Sequence, residues 1–269
     1  MTRVIKKVLL CSPKYFQIHY QINPWMGNKQ IDRSQAQKQW LRLNKLYQQL
    51  GIQIITINAQ PNLPDMVFTA DQGLVKNNSV IMANFRFRQR RPETKIYQDW
   101  FKKYGFNLLF LPKSLYFEGG DALETGNKII VGHGFRTSPQ TPQVLAKLLK
   151  TPVVSLRLIN PYFYHLDTCL FVLSPKEAFY YPKAFDRASQ KKLASLFPKL
   201  IPLAKKEAFF LTANSFTTNH QVITQEKTPI FTKKLIQLGY QVHQVNTSEF
   251  TKAGGGIHCL TIATATKTN

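Results

Sequence analysis

LYQQLGIQIITI, residues 46–57, decides the fold. Ahead of it Trp40, Leu43, Tyr47 and Leu50 recur at spacings of three and four, the signature of one apolar helix face. The pattern stops at Gly51, a residue suited to the left-handed turn just past a helix, and a β-branched run follows. The same junction returns as FKKYGFNLLFL (101–111), LLKTPVVSLRL (148–158), LFPKLIPLA (196–204) and LIQLGYQVHQV (235–245). Each time the segment that comes next carries unusual polar residues: PDMVFTADQG, FEGGD, HLDTC, TANSF and GGGIHCLT.

The markers Asp65, Glu118, His165, Asn214 and Cys259 lie 53, 47, 49 and 45 residues apart. A period so nearly constant signals one supersecondary unit used repeatedly. Helical patterns also cover Tyr97–Tyr104 and Gln143–Leu149, with helices starting at Asp186 and at Thr228-Pro229; strand runs include SVIMANF, KIIVG, CLFVL, AFYY, QVITQ and CLTIAT. Each unit therefore reads strand–strand–helix–strand, a mixed α/β architecture. Without linker or low-complexity stretch, residues 1–269 read as a single domain. If the units close around an axis, their polar segments meet at the centre and bring carboxylates, a histidine and a cysteine together.

Composition narrows the classes. An apolar content of 43% supports a substantial core, and no apolar run approaches the length of a bilayer span. The opening MTRVIKKVLLCSPKYF reads as a first strand rather than a signal peptide, because its apolar part is short and lacks a small-residue cleavage site. Three cysteines, Cys11, Cys169 and Cys259, cannot all pair and have no metal-ligand spacing, which points to a reduced, cytoplasmic setting. The formal charge of +22 leaves a nucleic-acid or acidic partner open, but the basic residues are spread out, with FRFRQRR (85–91) the densest cluster. Acids are used sparingly, 14 in all, yet Asp65, Asp71, Glu118, Asp121 and Asp167 fall inside three of the motifs. That concentration implies a small anionic site in a positive body.

Cys259 follows three glycines and precedes an apolar strand, a context that presents a thiol to a cleft. Cys11 and Cys169, flanked by VLL and LFV, read as core residues. In an extended HLDTC segment, alternation puts His165, Asp167 and Cys169 on one face, making His165 and Asp167 a site pair. Glu118, in a Glu-Gly-Gly-Asp turn, is placed to orient an imidazole and stabilise its charged form. Asp65 and Asp71 flank Phe68, a flat apolar wall; carboxylates beside such a wall suit a guanidinium with its fork of donors. Compact metal-ligand spacing is missing from these acids, so neither a metal nor a cofactor is expected.

The ordered set SPKYFQIHYQINPWM, PDMVFTADQG, FEGGDAL, GFRT, YHLDTC, YYPKAFD, TANS and KAGGGIHCLT resembles the guanidino-group-modifying, or pentein, superfamily over almost the whole chain. That superfamily includes arginine deiminases, dimethylarginine dimethylaminohydrolases and amidinotransferases. The resemblance implies a pseudo-fivefold α/β propeller of ββαβ units. It further implies Cys259 as nucleophile, His165 as general acid/base and Glu118 as its partner. Asp71 and Asp167 would grip the guanidinium, with Phe68 on its face and Asp65 nearby. Arg136, with Arg86 or Arg88, would meet a substrate carboxylate.

The reaction so implied is Cys-dependent hydrolysis of a guanidinium C–N bond through an S-linked intermediate. An acid at position 71 resembles the deiminase and dimethylaminohydrolase pattern, where FTANAG relatives carry an amide. Asp167 resembles deiminases and amidinotransferases, which favours an unsubstituted guanidine such as free L-arginine. The chain lacks the helical insertion of typical bacterial arginine deiminases and is nearer a dimethylaminohydrolase in size. The alternatives are an amidinotransferase passing the group to an amine, a basic protein that binds anionic polymers, and modification of arginine within proteins. A homodimer is left open.

Overall fold

The computed structural model describes residues 3–268, which form five three-stranded sheets with one plan. In each, an antiparallel strand pair is followed by a helix and by a third strand that lies parallel to the second. This is the ββαβ order that the periodic junctions predict. By density of contact the chain forms two compact units, residues 70–202 and residues 1–69 with 203–269.

The contiguous unit holds three of the sheets. The first joins β3 (Gly73–Lys76), β4 (Ser79–Met82) and β5 (Asn107–Leu109), with α2 (Arg91–Lys103) crossing between β4 and β5. Next come β6 (Ala122–Thr125), β7 (Lys128–His133), α3 (Thr141–Leu149) and β8 (Val153–Arg157). The last has β9 (Leu170–Ser174), β10 (Glu177–Tyr180), α4 (Arg187–Leu196) and β11 (Lys199–Pro202). A core of Leu74, Ile81, Leu111, Phe117, Ala122, Ile129, Val131 and Leu145 ties the first two sheets to α3. Asp186 caps α4 through the amide of Ser189 at 2.8 Å, as its place in the sequence predicts.

In the discontinuous unit, β1 (Arg3–Cys11) is the middle strand of a sheet with β15 (Ile262–Thr268) antiparallel on one side and β2 (Gln53–Ile57) parallel on the other; α1 (Arg33–Gln49) connects β1 and β2. The other sheet contains β12 (Phe216–Thr218), β13 (Gln221–Gln225) and β14 (Gln241–Val245), with α6 (Pro229–Gln237) as its crossover. Short helices α5 (Lys205–Ala208) and α7 (Ser248–Thr251) complete this unit. Glu207 on α5 caps α6 from a distance, its two carboxylate oxygens accepting the amides of Ile230 and Phe231 at 2.8 and 2.9 Å. Among the described residues no helix is long and apolar enough to cross a membrane.

One local expectation is overturned. HLDTC is not extended: Leu166–Thr168 forms a single 3-10 turn, with His165 as the residue before it. The Thr168 hydroxyl donates to the His165 carbonyl at 2.6 Å, and the Cys169 amide to the Leu166 carbonyl at 3.1 Å. These local bonds satisfy backbone groups that a strand would offer to a neighbour. All five residues of the motif are buried, so the two-faced alternation does not apply and β9 starts at Leu170.

Candidate active site

Three of the sequence-predicted residues meet in the contiguous unit. Glu118 precedes the turn Gly119–Asp121, His165 precedes the turn Leu166–Thr168, and Asp71 lies in the turn Thr69–Gln72. Nε2–H of His165 donates to Oε2 of Glu118 at 2.9 Å, and Nδ1 lies 3.4 Å from Oδ1 of Asp71. The imidazole thus sits between two buried carboxylates. Burial alone would lower its pKa; Asp71, then the hydrogen bond donated to Glu118, then Asp121, outweigh that and raise it to about 9. At neutral pH His165 is an imidazolium, with the Nδ1 proton not engaged in a hydrogen bond among the described residues.

Two buried arginines balance these acids. Nη1 of Arg136 donates to the same Oε2 of Glu118 at 2.9 Å, and its guanidinium lies 4.7 Å from the Phe87 ring and 4.6 Å from the Tyr164 ring. Burial would raise the Glu118 carboxyl, but Arg136 and then His165 hold it at about 2. Arg90 donates through Nη1 to Oδ2 of Asp71 and through Nε and Nη2 to Glu93, over the Phe85 ring at 4.5 Å. Gln72 adds a bond to Glu93 at 2.6 Å. Asp71 is thereby fixed by one oxygen, and the other faces His165. Asp167 is buried inside the turn that follows His165. Asp121 accepts the Leu166 amide at 3.1 Å, pinning that turn, and burial lifts its carboxyl to about 7.

Gly120 explains the spacing of the motif. A Cβ there would stand 2.7 Å from Oδ1 of Asp71 and 2.9 Å from Nδ1 of His165, so a side chain would fill the space between them. Neither neighbour can yield, because Arg90 anchors one and Glu118 the other.

The discontinuous unit carries the thiol. Cys259 is buried in a helical turn, closed by the Leu260 amide on the Gly256 carbonyl at 3.1 Å, and β15 starts three residues later. Oδ1 of Asn214 accepts the amides of Gly256 and Cys259, both at 3.0 Å, while its Nδ2 donates to the Cys259 sulfur at 3.0 Å. Phe68 packs on the backbone of Gly255, where a Cβ would overlap its ring, and meets Phe16 edge-on at 5.6 Å. Asp65 accepts the Tyr20 hydroxyl at 2.8 Å.

Sequence reading missed Arg90, Glu93 and Asn214. The two that it weighed beside Arg136, Arg86 and Arg88, are exposed, whereas Arg90 is buried. The available signal was Glu93 three residues after Arg90 at a helix start, and the phase of Asn214 with the other markers. None of the three cysteines is in a disulfide, and Cys11 and Cys169 are core residues.

Comparisons with known proteins agree with this chemistry. A family model described as N,N dimethylarginine dimethylhydrolase, eukaryotic, matches residues 12–266. The N(G),N(G)-dimethylarginine dimethylaminohydrolase of Mycobacterium tuberculosis is 34% identical over 258 residues, covering 96% of this chain and 85% of that protein. ArgZ of Synechocystis, a bifunctional arginine dihydrolase/ornithine cyclodeaminase, is 36% identical over 263 residues; the match spans 95% of this chain and 37% of ArgZ. A solved structure of the ArgZ N-terminal domain, covalently bound to a reaction intermediate, superposes with a TM-score of 0.94 at 35% identity, covering 96% of this chain and 97% of that one. The chain belongs to the N,N-dimethylarginine dimethylhydrolase family and is a cysteine-dependent guanidino hydrolase of the pentein fold.

Proposed function

We propose that this hydrolase acts on L-arginine or a closely related guanidine with unsubstituted terminal nitrogens, and that residues 1–269 work as one catalytic domain. The observation that carries the reading is His165 held as an imidazolium between Glu118 at 2.9 Å and Asp71 at 3.4 Å. A guanidinium carbon accepts a nucleophile only when its charge is held and its leaving nitrogen can be protonated. Asp71 and Asp167 hold the charge, with Phe68 on the flat face and Asp65 nearby. Cys259, as thiolate, gives an electron pair to the guanidinium carbon. His165 passes its Nδ1 proton to the departing nitrogen as the C–N bond breaks, and the amine or ammonia leaves. The imidazole then takes a proton from water, whose oxygen bonds to the same carbon. The C–S bond breaks with its electron pair going to sulfur, and the hydroxyl proton passes to the released amine or to solvent, leaving a neutral ureido product and the thiolate.

Glu118 keeps the imidazole oriented and charged. Arg136, which donates to Glu118, and Arg86 are the candidates for meeting a substrate carboxylate. The aspartate at position 71, in place of the amide associated with a further step, supports a single hydrolysis. Three cysteines outside any disulfide suit a reduced cytoplasmic setting.

The test is to incubate the protein with arginine, its methylated forms and agmatine, and to identify products by mass spectrometry beside Cys259→Ser and His165→Ala. Citrulline with ammonia, lost in both variants, is expected. Release of dimethylamine in preference would move the substrate to methylated arginine. An amidinated amine would make the protein a transferase, and turnover surviving both substitutions would reject the mechanism.

A further inference from the structure

Cys259 and Cys169 are both buried, and the hydrogen-bonding groups at their sulfurs differ. Sγ of Cys169 lies 3.7 and 3.5 Å from the carbonyl oxygens of His165 and Leu166, acceptors that hold a thiol in its protonated form. Sγ of Cys259 has the Nδ2 of Asn214 at 3.0 Å, a donor.

The orientation of that amide is dictated by its surroundings. Oδ1 stands 3.0 Å from the backbone nitrogens of both Gly256 and Cys259, and two N–H groups can be met only by an acceptor. Nδ2 must therefore point at the sulfur, and having no acceptor capacity it can only offer hydrogen. Asn214 is held in turn: it is fully buried, its backbone amide donates to the Leu211 carbonyl at 2.9 Å, and its carbonyl accepts the His258 amide at 3.0 Å. One residue thus fixes the turn that carries the nucleophile and touches the reacting atom.

We propose that Asn214 is a further catalytic residue, whose side-chain N–H stabilises the thiolate of Cys259 while its oxygen locks the backbone of the Gly256–Cys259 turn. A hydrogen bond to an ionised sulfur is stronger than one to a neutral thiol, so the bond shifts the thiol equilibrium toward the anion. On ionisation the S–H bond breaks heterolytically, the electron pair stays on sulfur and the proton passes to solvent. Asn214 keeps both of its hydrogens throughout. When the sulfur bonds to carbon its negative charge is consumed, and the same N–H bond weakens.

This inference rests on Cys259 as the nucleophile, and the experiment separates the two ideas. The rate of iodoacetamide alkylation is followed against pH in the substrate-free enzyme, with the modified cysteine identified by peptide mass spectrometry. Asn214→Asp keeps the shape and the two backbone bonds but turns an anionic oxygen toward the sulfur. Its alkylation midpoint is expected to rise by at least one pH unit, with kcat falling at least 100-fold and KM changing less than threefold. Asn214→Ala, which removes the donor without adding charge, is expected to give a smaller rise and serves if the aspartate variant does not fold. An unchanged midpoint in the folded variant, with wild-type activity still abolished by alkylation, would overturn the role of Asn214 alone. Activity that survives complete alkylation of Cys259 would overturn the nucleophile assignment and this inference with it.

Discussion

One oxygen of Glu118, Oε2, receives the Nε2–H of His165 at 2.9 Å and, at the same distance, the Nη1–H of Arg136. The carboxylate is therefore shared between a titrating partner and a permanent cation. Glu118→Gln keeps the shape but removes a charged partner of Arg136 and one support of the imidazolium. Its kcat should fall roughly 10²–10⁴-fold, the range typical of losing a general acid. The alkaline limb set by His165 should move below the wild-type position near 9. Urea unfolding should show a loss of about 3–5 kcal/mol from breaking the buried ion pair. A pH–rate profile and a denaturation curve on the same variant check both parts.

Gly120 should be intolerant of a single methyl group. Gly120→Ala places a carbon 2.7 Å from the Asp71 carboxylate and 2.9 Å from the His165 ring. Asp71 and His165 must separate, and kcat should drop at least 100-fold, by displacement of groups that need sub-ångström placement. A melting curve close to wild type, with the lost activity, distinguishes a displaced site from an unfolded protein.

Stability should depend on pH through three buried groups with different signs. The His165 pKa rises from 6.5 to about 9, so its contribution is complete below 6.5 and is lost as pH climbs through 9. That of Glu118 drops from 4.5 to about 2, so its contribution is present above 4.5 and is lost as pH falls through 2. Asp121 is raised from 3.8 to about 7, mainly by burial, and its contribution disappears as pH rises across that window. Asp121→Asn should flatten the wild-type decline between 3.8 and 7. Urea midpoints of both proteins across that range provide the comparison, and parallel curves would refute the assignment.

Glu207 should matter to the fold and not to the reaction. Its carboxylate takes the two first free amides of α6, and Glu207→Ala leaves those N–H groups unmet. A loss of about 1–3 kcal/mol is expected from buried unsatisfied donors. kcat should stay within twofold of wild type.

The repeat was legible because its junctions are written in backbone chemistry. Gly51, Gly105 and Gly239 adopt positive φ of 71°, 80° and 83° after their helices, and at the third junction Lys150 takes φ 47° in place of a glycine. Glu118, His165 and Asp71 were legible too, since acids are scarce in this chain and sit in phase with those junctions. The strand reading of HLDTC failed because Thr168 and Asp121 satisfy its backbone locally, a competition that apolar spacing does not register. Arg90 was hidden among the four arginines of FRFRQRR, where only burial against Glu93 and Asp71 sets it apart. Asn214 was visible as a marker, but an asparagine has no titration to announce a role.

The partner of β1 on its antiparallel side is β15, more than 250 residues downstream, whereas residues 70–202 form a contiguous unit. That unit is built from consecutive residues, while β1 waits for a strand far downstream before its ladder can be completed. Contacts this remote in sequence are slow to close, and until they do an open strand edge is available for aggregation. Because β15 starts three residues after Cys259, the ladder that closes last is also the one that anchors the chain leaving the thiol-bearing turn.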